Sequence, residues 1–95
     1  MEVVNNKKQF QFQVTLPDGE VAVLQYRWLK GSMVLMHTLV PASGRGKGVG
    51  AVLVKYVLDY ARSHHLKIII YCPFVEQYVK KHPEYNDLID PAHKH

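Results

Sequence analysis

The stretch VPASGRGKGVGAVLVKYVLDYA, from Val40 to Ala61, joins a glycine-rich loop directly to a periodic apolar pattern. From Val49 to His64 the apolar residues return at intervals of three and four, which is typical of one face of a helix of about four turns. The loop in front of this helix holds four of the six glycines in the chain, at alternating positions: Gly44, Gly46, Gly48 and Gly50. The stretch therefore predicts a glycine loop at the N-terminus of an amphipathic helix.

Apolar segments lie on both sides of this loop and helix. Residues 33–40 (MVLMHTLV) end at Pro41, and residues 67–72 (KIIIYC) are β-branched and apolar on both faces, which indicates an interior strand. Strand, helix and strand within about 35 residues form a βαβ unit, so these two strands are expected to be parallel with a right-handed crossover. A second, short helix is predicted over residues 74–82. Pro83 ends it, and the remaining residues, above all those from about 88, are predicted to be a tail.

The N-terminal part predicts an antiparallel meander. Residues 20–29 (EVAVLQYRWL) follow the turn signal PDG, and a second turn at residues 30–32 leads into the strand over residues 33–40. Residues 8–16 alternate strictly, and one face of that strand is predicted to carry Phe10, Phe12, Val14 and Leu16. The expected fold is a single α/β domain over residues 1–95, with a mixed sheet made of a three-strand meander plus the βαβ unit and about two helices.

The composition narrows the classes of partner. The net charge of +4 favours an anionic partner, such as a nucleic acid, a membrane surface or a small polyphosphate. The basic residues are spread out and adjacent only at Lys7–Lys8 and Lys80–Lys81, which argues against a nucleic-acid patch. No apolar run reaches the roughly 20 residues of a membrane span. The single cysteine, Cys72, is typical of a reducing cytoplasm, so a cytoplasmic location is expected.

The glycine loop has the chemistry of an anion site, although a plain flexible turn is the alternative. Amide groups at a helix N-terminus carry partial positive charge, and glycines let a phosphate approach them closely. A Walker A loop is excluded because Lys47 is followed by Gly48 rather than by Ser or Thr. The Rossmann spacing G-x-x-G also fails after Gly46, Gly48 and Gly50. What fits is Arg-x-x-Gly-x-Gly, at Arg45, Gly48 and Gly50.

That motif is the pyrophosphate-binding pattern of the GNAT-type N-acetyltransferases, which hold coenzyme A. With HTLVP from His37 and YCPFVEQYVKKHPEY from Tyr71, the chain from His37 to about Leu88 resembles the small, single-domain GNAT-like acetyltransferases. The resemblance implies that the preceding strand pairs with the pantetheine arm at Leu39 and Val40, and that the two parallel strands splay beside a bulge. It also implies that acetyl-coenzyme A places its pyrophosphate on the loop amides of Arg45, Gly46, Lys47, Gly48, Val49 and Gly50.

Two side chains are candidates for the chemistry. Cys72 ends the second parallel strand, where open α/β sheets place ligands. Three roles are open for it: a buried apolar residue, a nucleophile that takes the acetyl group, or a proton donor to the leaving thiolate. His37 is a structural residue or a proton acceptor that approaches Cys72 if the two share a face of the sheet. Glu76 and Tyr78, on the second helix, are weaker candidates.

The resulting prediction is an acetyl-coenzyme A-dependent N-acetyltransferase without a metal, whose amine acceptor is unknown. The remaining histidines lack metal-ligand spacing with a cysteine. The rival is a non-catalytic acyl-coenzyme A-binding or sensor module. It is favoured because, by comparison with larger members of the family that the chain resembles, we expect the chain to lack the two N-terminal helices that shape the acceptor site and most of the C-terminal strands. A homodimer would supply the missing walls, and the oligomeric state stays open.

Overall fold

The computed structural model describes residues 1–93, and Lys94 and His95 lie outside the described residues. None of the helices in this part of the chain is long and apolar enough to span a membrane. The elements in chain order are β1 (Val4–Asn6), β2 (Gln11–Thr15), β3 (Val21–Leu29), β4 (Ser32–Leu39), α1 (Val49–Ser63), β5 (Ile68–Ile70) and α2 (Pro73–Lys81). Three 3-10 turns occupy Ala42–Gly44, Pro83–Leu88 and Pro91–His93.

Within residues 1–93 the strands form one mixed sheet in the order β1-β2-β3-β4-β5. Neighbours are antiparallel from β1 to β4, whereas β4 and β5 are parallel and joined through α1. This arrangement confirms the predicted α/β fold with its meander and βαβ unit. Strand β1 was absent from the prediction because its three residues, VNN, carry no alternation of apolar and polar side chains.

Helix α1 packs on one face of the sheet. Phe12 pairs in register with Leu24, both are fully buried, and the Phe12 ring lies 5.1 Å from the ring of Tyr60 on α1. Successive side chains of a strand point to opposite faces, so the neighbours of these residues face the other way. That opposite face carries a row of exposed or half-buried polar side chains: Gln11, Gln25 and His37.

A β-bulge interrupts β4 at Met36. Tyr26 of β3 pairs with Leu35 and Gln25 pairs with His37, so Met36 is the extra residue. Just before the bulge, the pairing of β4 with β5 ends at Leu35 and Ile70. Strand β4 then continues to Leu39 while the chain after Ile70 turns away into α2. The two parallel strands therefore splay beside a bulge, as the family resemblance implies.

Strand β5 lies at the end of the sheet order and not in its interior, so the predicted interior position is wrong. Ile68 and Ile69 are nevertheless buried. The segment after α2 covers the free edge of β5, since Ile89 bridges to Ile68 and the Asp90 amide donates to the Ile68 carbonyl at 2.8 Å. Burial by a later segment, rather than by a further strand, explains the apolar pattern of β5.

The predicted tail after Pro83 also needs correction. Tyr85 and Leu88 are buried in the core, and the Tyr85 hydroxyl donates to Asp59 on α1 at 2.7 Å. Arg62 donates to both carboxylate oxygens of Asp87 at 2.9 Å, and this pairing lowers the pKa of Asp87. The segment up to Leu88 is therefore part of the packed domain.

Candidate functional site

A cleft of about 680 Å³ opens where β4 leaves β5. The end of β4, the glycine loop, the first turn of α1 and one ring from α2 form its wall. The lining residues are Thr38, Leu39, Val40, Pro41, Gly44, Arg45, Gly46, Gly48, Val49, Gly50, Ala51 and Phe74. The cleft is thus built from the segments that the sequence pattern singles out.

Residues with free backbone donors line this cleft at the start of α1. Gly48 is the N-cap of α1 with a φ of +76°, and no side chain within residues 1–93 caps the helix. The amide of Val52 donates to the Gly48 carbonyl at 3.0 Å. The amides of Val49, Gly50 and Ala51 come before that bond and therefore have no acceptor within the helix. These amides, at the positive end of the helix dipole, suit an anionic group.

The alternating glycines serve two physical needs. Gly46 and Gly48 both have a φ of +76° with open space around them, so they are required by conformation. Gly44 and Gly50 instead lie close against other side chains, which an added Cβ would have to displace. A Cβ on Gly44 would lie 2.9 Å from Leu16 Cδ1, and one on Gly50 would lie 2.9 Å from Phe74 Cζ.

The two cations of the loop have different positions. Arg45 lines the cleft, and its Nε donates to the carbonyl of Val40 at 3.2 Å, which braces the loop against the end of β4. Lys47 is exposed and is not part of the cleft wall. Its charge contributes to the lowered pKa of Asp18, of which the main cause is a hydrogen bond from Ser43. Of the predicted loop and strand residues, all except Lys47 lie on the cleft.

Cys72 lies behind the cleft wall. Its side chain is 3% exposed, and it immediately precedes α2. Its Sγ is 3.3 Å from Oγ1 of Thr38, and Thr38 does line the cleft. Thr38 was not a predicted site residue, although it stands next to His37 in the HT pair. The structure therefore pairs Cys72 with a hydroxyl.

His37 does not join Cys72. It is exposed and pairs with Gln25, whereas Thr38 pairs with Leu24 on the face that α1 covers. The condition that His37 and Cys72 share a face is therefore not met. Without a bulge, His37 would lie on the same face of the sheet as Leu35. The extra residue at Met36 shifts the alternation by one position, so that Thr38 lies on that face instead of His37.

The weaker candidates on α2 are also outside the cleft wall. Glu76 forms a surface ion pair with Lys80 at 3.5 Å. The ring of Tyr78 stacks on that of His82 with centroids 4.2 Å apart. Among the described residues, no group of three or more His, Cys, Asp or Glu side chains is placed to hold a metal ion.

Known proteins resemble the chain over nearly its whole length. The family model described as GCN5-related N-acetyl-transferase matches residues 9–88. Protein NATD1 of Xenopus tropicalis is 33% identical over an alignment 95 positions long, which covers 96% of this chain and 87% of that protein. Protein NATD1 of Gallus gallus is 35% identical over an alignment 85 positions long, which covers 87% of this chain and 77% of that protein.

A solved structure shares the architecture. The NMR solution structure of a "GCN5-like putative N-acetyltransferase" from Staphylococcus aureus matches with a TM-score of 0.67 at 27% identity, covering 99% of this chain and 95% of that one. The sequence and structure matches together confirm the resemblance that the motif residues indicate.

Proposed function

Because the chain belongs to the GCN5-related N-acetyltransferase family, we propose that it binds acetyl-coenzyme A and transfers the acetyl group to an amine. The observation that carries the proposal is the set of amides of Val49, Gly50 and Ala51, which have no acceptor within α1 and line the cleft beside the splayed strands. Because Cys72 is the single cysteine of the chain and is free, we also propose that the protein works in the reducing cytoplasm.

The residues present fit the coenzyme. The amides at the start of α1 and the side chain of Arg45 would receive the pyrophosphate. At Gly46 and Gly48 the described residues leave open space around the backbone, which lets a phosphate approach. The backbone of Leu39 and Val40 would lie along the pantetheine arm. Once bound, acetyl-coenzyme A supplies an acetyl group activated as a thioester. The chain then has to orient that thioester and provide for the movement of one proton.

The burial of Cys72 favours direct attack by the amine over an acetylated cysteine. A nucleophile has to reach the carbonyl carbon, and a sulfur that is 3% exposed and absent from the cleft wall does not reach it. His37 is exposed on the other face of β4. It would accept the proton from an amine that approaches the thioester from that face, where β4 and β5 splay apart.

A non-catalytic acyl-coenzyme A-binding module is the second candidate. One observation favours it: neither Cys72 nor His37 lines the cleft where the thioester would lie. Binding of acetyl-coenzyme A without any transfer of its acetyl group would distinguish this module from the enzyme.

The test is native mass spectrometry with acetyl-coenzyme A, followed by release of free coenzyme A in the presence of a panel of amines and peptides. We expect a saturable one-to-one complex, amine-dependent release of coenzyme A, and no acetyl adduct of the protein. A complex with no release from any acceptor would support the binding module. The absence of a complex at concentrations up to millimolar would refute both functions.

Gly50→Ala tests the contact between the loop and α2. Alanine in a helix gains about 0.5–1 kcal/mol over glycine, and the Phe74 ring that it would meet is half exposed and free to move. We expect unchanged or slightly raised stability but an affinity for acetyl-coenzyme A about tenfold lower, because the displaced ring enters the cleft.

The double variant Gly50→Ala with Phe74→Ala is the matched control. Calorimetric titration should show that it recovers most of the affinity that Gly50→Ala loses, relative to Phe74→Ala alone. Equal losses in both backgrounds would mean that the ring is not the cause.

A further inference from the structure

Thr38 and Cys72 form a contact that the proposed function does not yet use. Thr38 Oγ1 lies 3.3 Å from Cys72 Sγ, and either atom is a possible donor. Thr38 lines the cleft, whereas Cys72 is 3% exposed and lies behind it. The hydroxyl therefore stands between the thiol and the cleft.

Both partners are held by backbone bonds, so the contact is built into the fold. Thr38 pairs in register with Leu24 of β3. The Cys72 amide donates to the Leu35 carbonyl at 3.1 Å, and the Cys72 carbonyl accepts from the Glu76 amide at 3.0 Å. Fixing both backbones leaves the two side chains few alternative positions.

We propose that Thr38 is the polar group that faces the reacting thioester, and that Cys72 acts only through it, as a proton source. This rests on the proposed acetyl transfer. The sequence analysis instead places Cys72 itself at the thioester and gives Thr38 no role.

The proton movement balances without any further reactant. As the amine nitrogen bonds to the carbonyl carbon and the carbon–sulfur bond breaks, Thr38 Oγ1 gives its proton to the leaving sulfur and takes the proton of Cys72 Sγ. The Cys72 thiolate regains a proton from solvent, and the amine nitrogen releases one to His37 or to water. No bond to carbon forms at Cys72.

Three variants at one position separate the functions of the hydroxyl from those of the side-chain volume. Thr38→Ser keeps the hydroxyl, Thr38→Val keeps the volume, and Thr38→Ala removes both. We expect kcat to fall about a hundredfold in Thr38→Val and Thr38→Ala and to stay within about threefold of wild type in Thr38→Ser. KM should stay within about twofold throughout, because the hydroxyl acts on bond breaking rather than on binding.

Alkylation of Cys72 by iodoacetamide, followed by intact mass, is a second readout that needs no turnover. Wild type and Thr38→Val should react slowly, because the side chain shields Sγ. Thr38→Ala should react about tenfold faster, because access to the sulfur controls the rate. Thermal denaturation of each variant checks that it is folded.

Several results would overturn the proposal. Fast alkylation of the wild type, or no acceleration in Thr38→Ala, would mean that Thr38 does not cover the thiol. Full kcat in Thr38→Val would remove the hydroxyl from the reaction, and an acetylated Cys72 formed as fast as turnover would make the cysteine a nucleophile. If the wild type fails to bind acetyl-coenzyme A, the proposed function fails, and the alkylation series alone then decides whether Thr38 shields Cys72.

Discussion

Gly48→Val is expected to lower the affinity for acetyl-coenzyme A by about a hundredfold or more, because it misdirects the amides that receive the pyrophosphate. Gly48 has a φ of +76° and caps α1, a conformation that costs a side-chain-bearing residue about 1–2 kcal/mol. A hydrogen bond to a charged group contributes about 1.5–3 kcal/mol, so misaligning one or two of them produces a loss of this size. Calorimetric titration with acetyl-coenzyme A measures it.

Gly31→Val is the matched control for this prediction. Gly31 has a φ of +86° with nothing within 4 Å of an added Cβ, and it lies in the turn between β3 and β4. The two variants should lose similar amounts of stability, but only Gly48→Val should lose affinity. If both bind acetyl-coenzyme A as tightly as the wild type, the loop is a turn and the pyrophosphate site lies elsewhere.

Local patterns were sufficient to predict the framework of the site. The intervals of three and four from Val49 and the run of isoleucines at Ile68 depend only on which residues are apolar, and they predicted the helix and the parallel strand. Glycines at the mouth of a helix are likewise a local signal. The glycine loop of the cleft follows from these local signals, whereas Leu39 and Val40 were predicted only from the resemblance to the GNAT-type acetyltransferases.

The sequence alone does not predict which side chain of β4 contacts Cys72, because this depends on one irregularity in the backbone. Alternation along β4 places His37 on the face of Leu35, and only the extra residue at Met36 reverses it. A β-bulge is fixed by the pairing with β3, and the residues MVLMHTLV carry no mark of it. For that reason the sequence left it open that His37 and Cys72 share a face, whereas the structure brings Thr38 to Cys72.

The C-terminal segment was mispredicted for a related reason. Pro83 does end α2, but a proline that ends a helix does not determine whether the chain beyond it packs. Tyr85 and Leu88 are buried because α1 offers them partners, with Arg62 holding Asp87 from the same helix. Such contacts join residues more than twenty positions apart in the chain, which no local window includes.

Phe12→Ala is expected to destabilise the fold by about 3–5 kcal/mol, a large share of the stability of a small domain. Its ring is fully buried and lies within 6 Å of three other rings, at 5.2 Å from Tyr26, 5.9 Å from Tyr56 and 5.1 Å from Tyr60. Removing it leaves a cavity between the sheet and α1 that these rings do not fill. Urea denaturation followed by circular dichroism gives the free energy of unfolding.

Phe10→Ala makes the same chemical change two residues earlier and is the matched control. Strict alternation predicts that both phenylalanines face the core, but Phe10 is 39% exposed, because it lies before the start of β2 with a φ of 56°. Its contacts are an edge-on approach to Tyr26 and the guanidinium of Arg27. We therefore expect a loss within about 1 kcal/mol for Phe10→Ala. Equal losses for the two variants would mean that the alternating pattern extends through Phe10 and that the turn between β1 and β2 is wrongly placed.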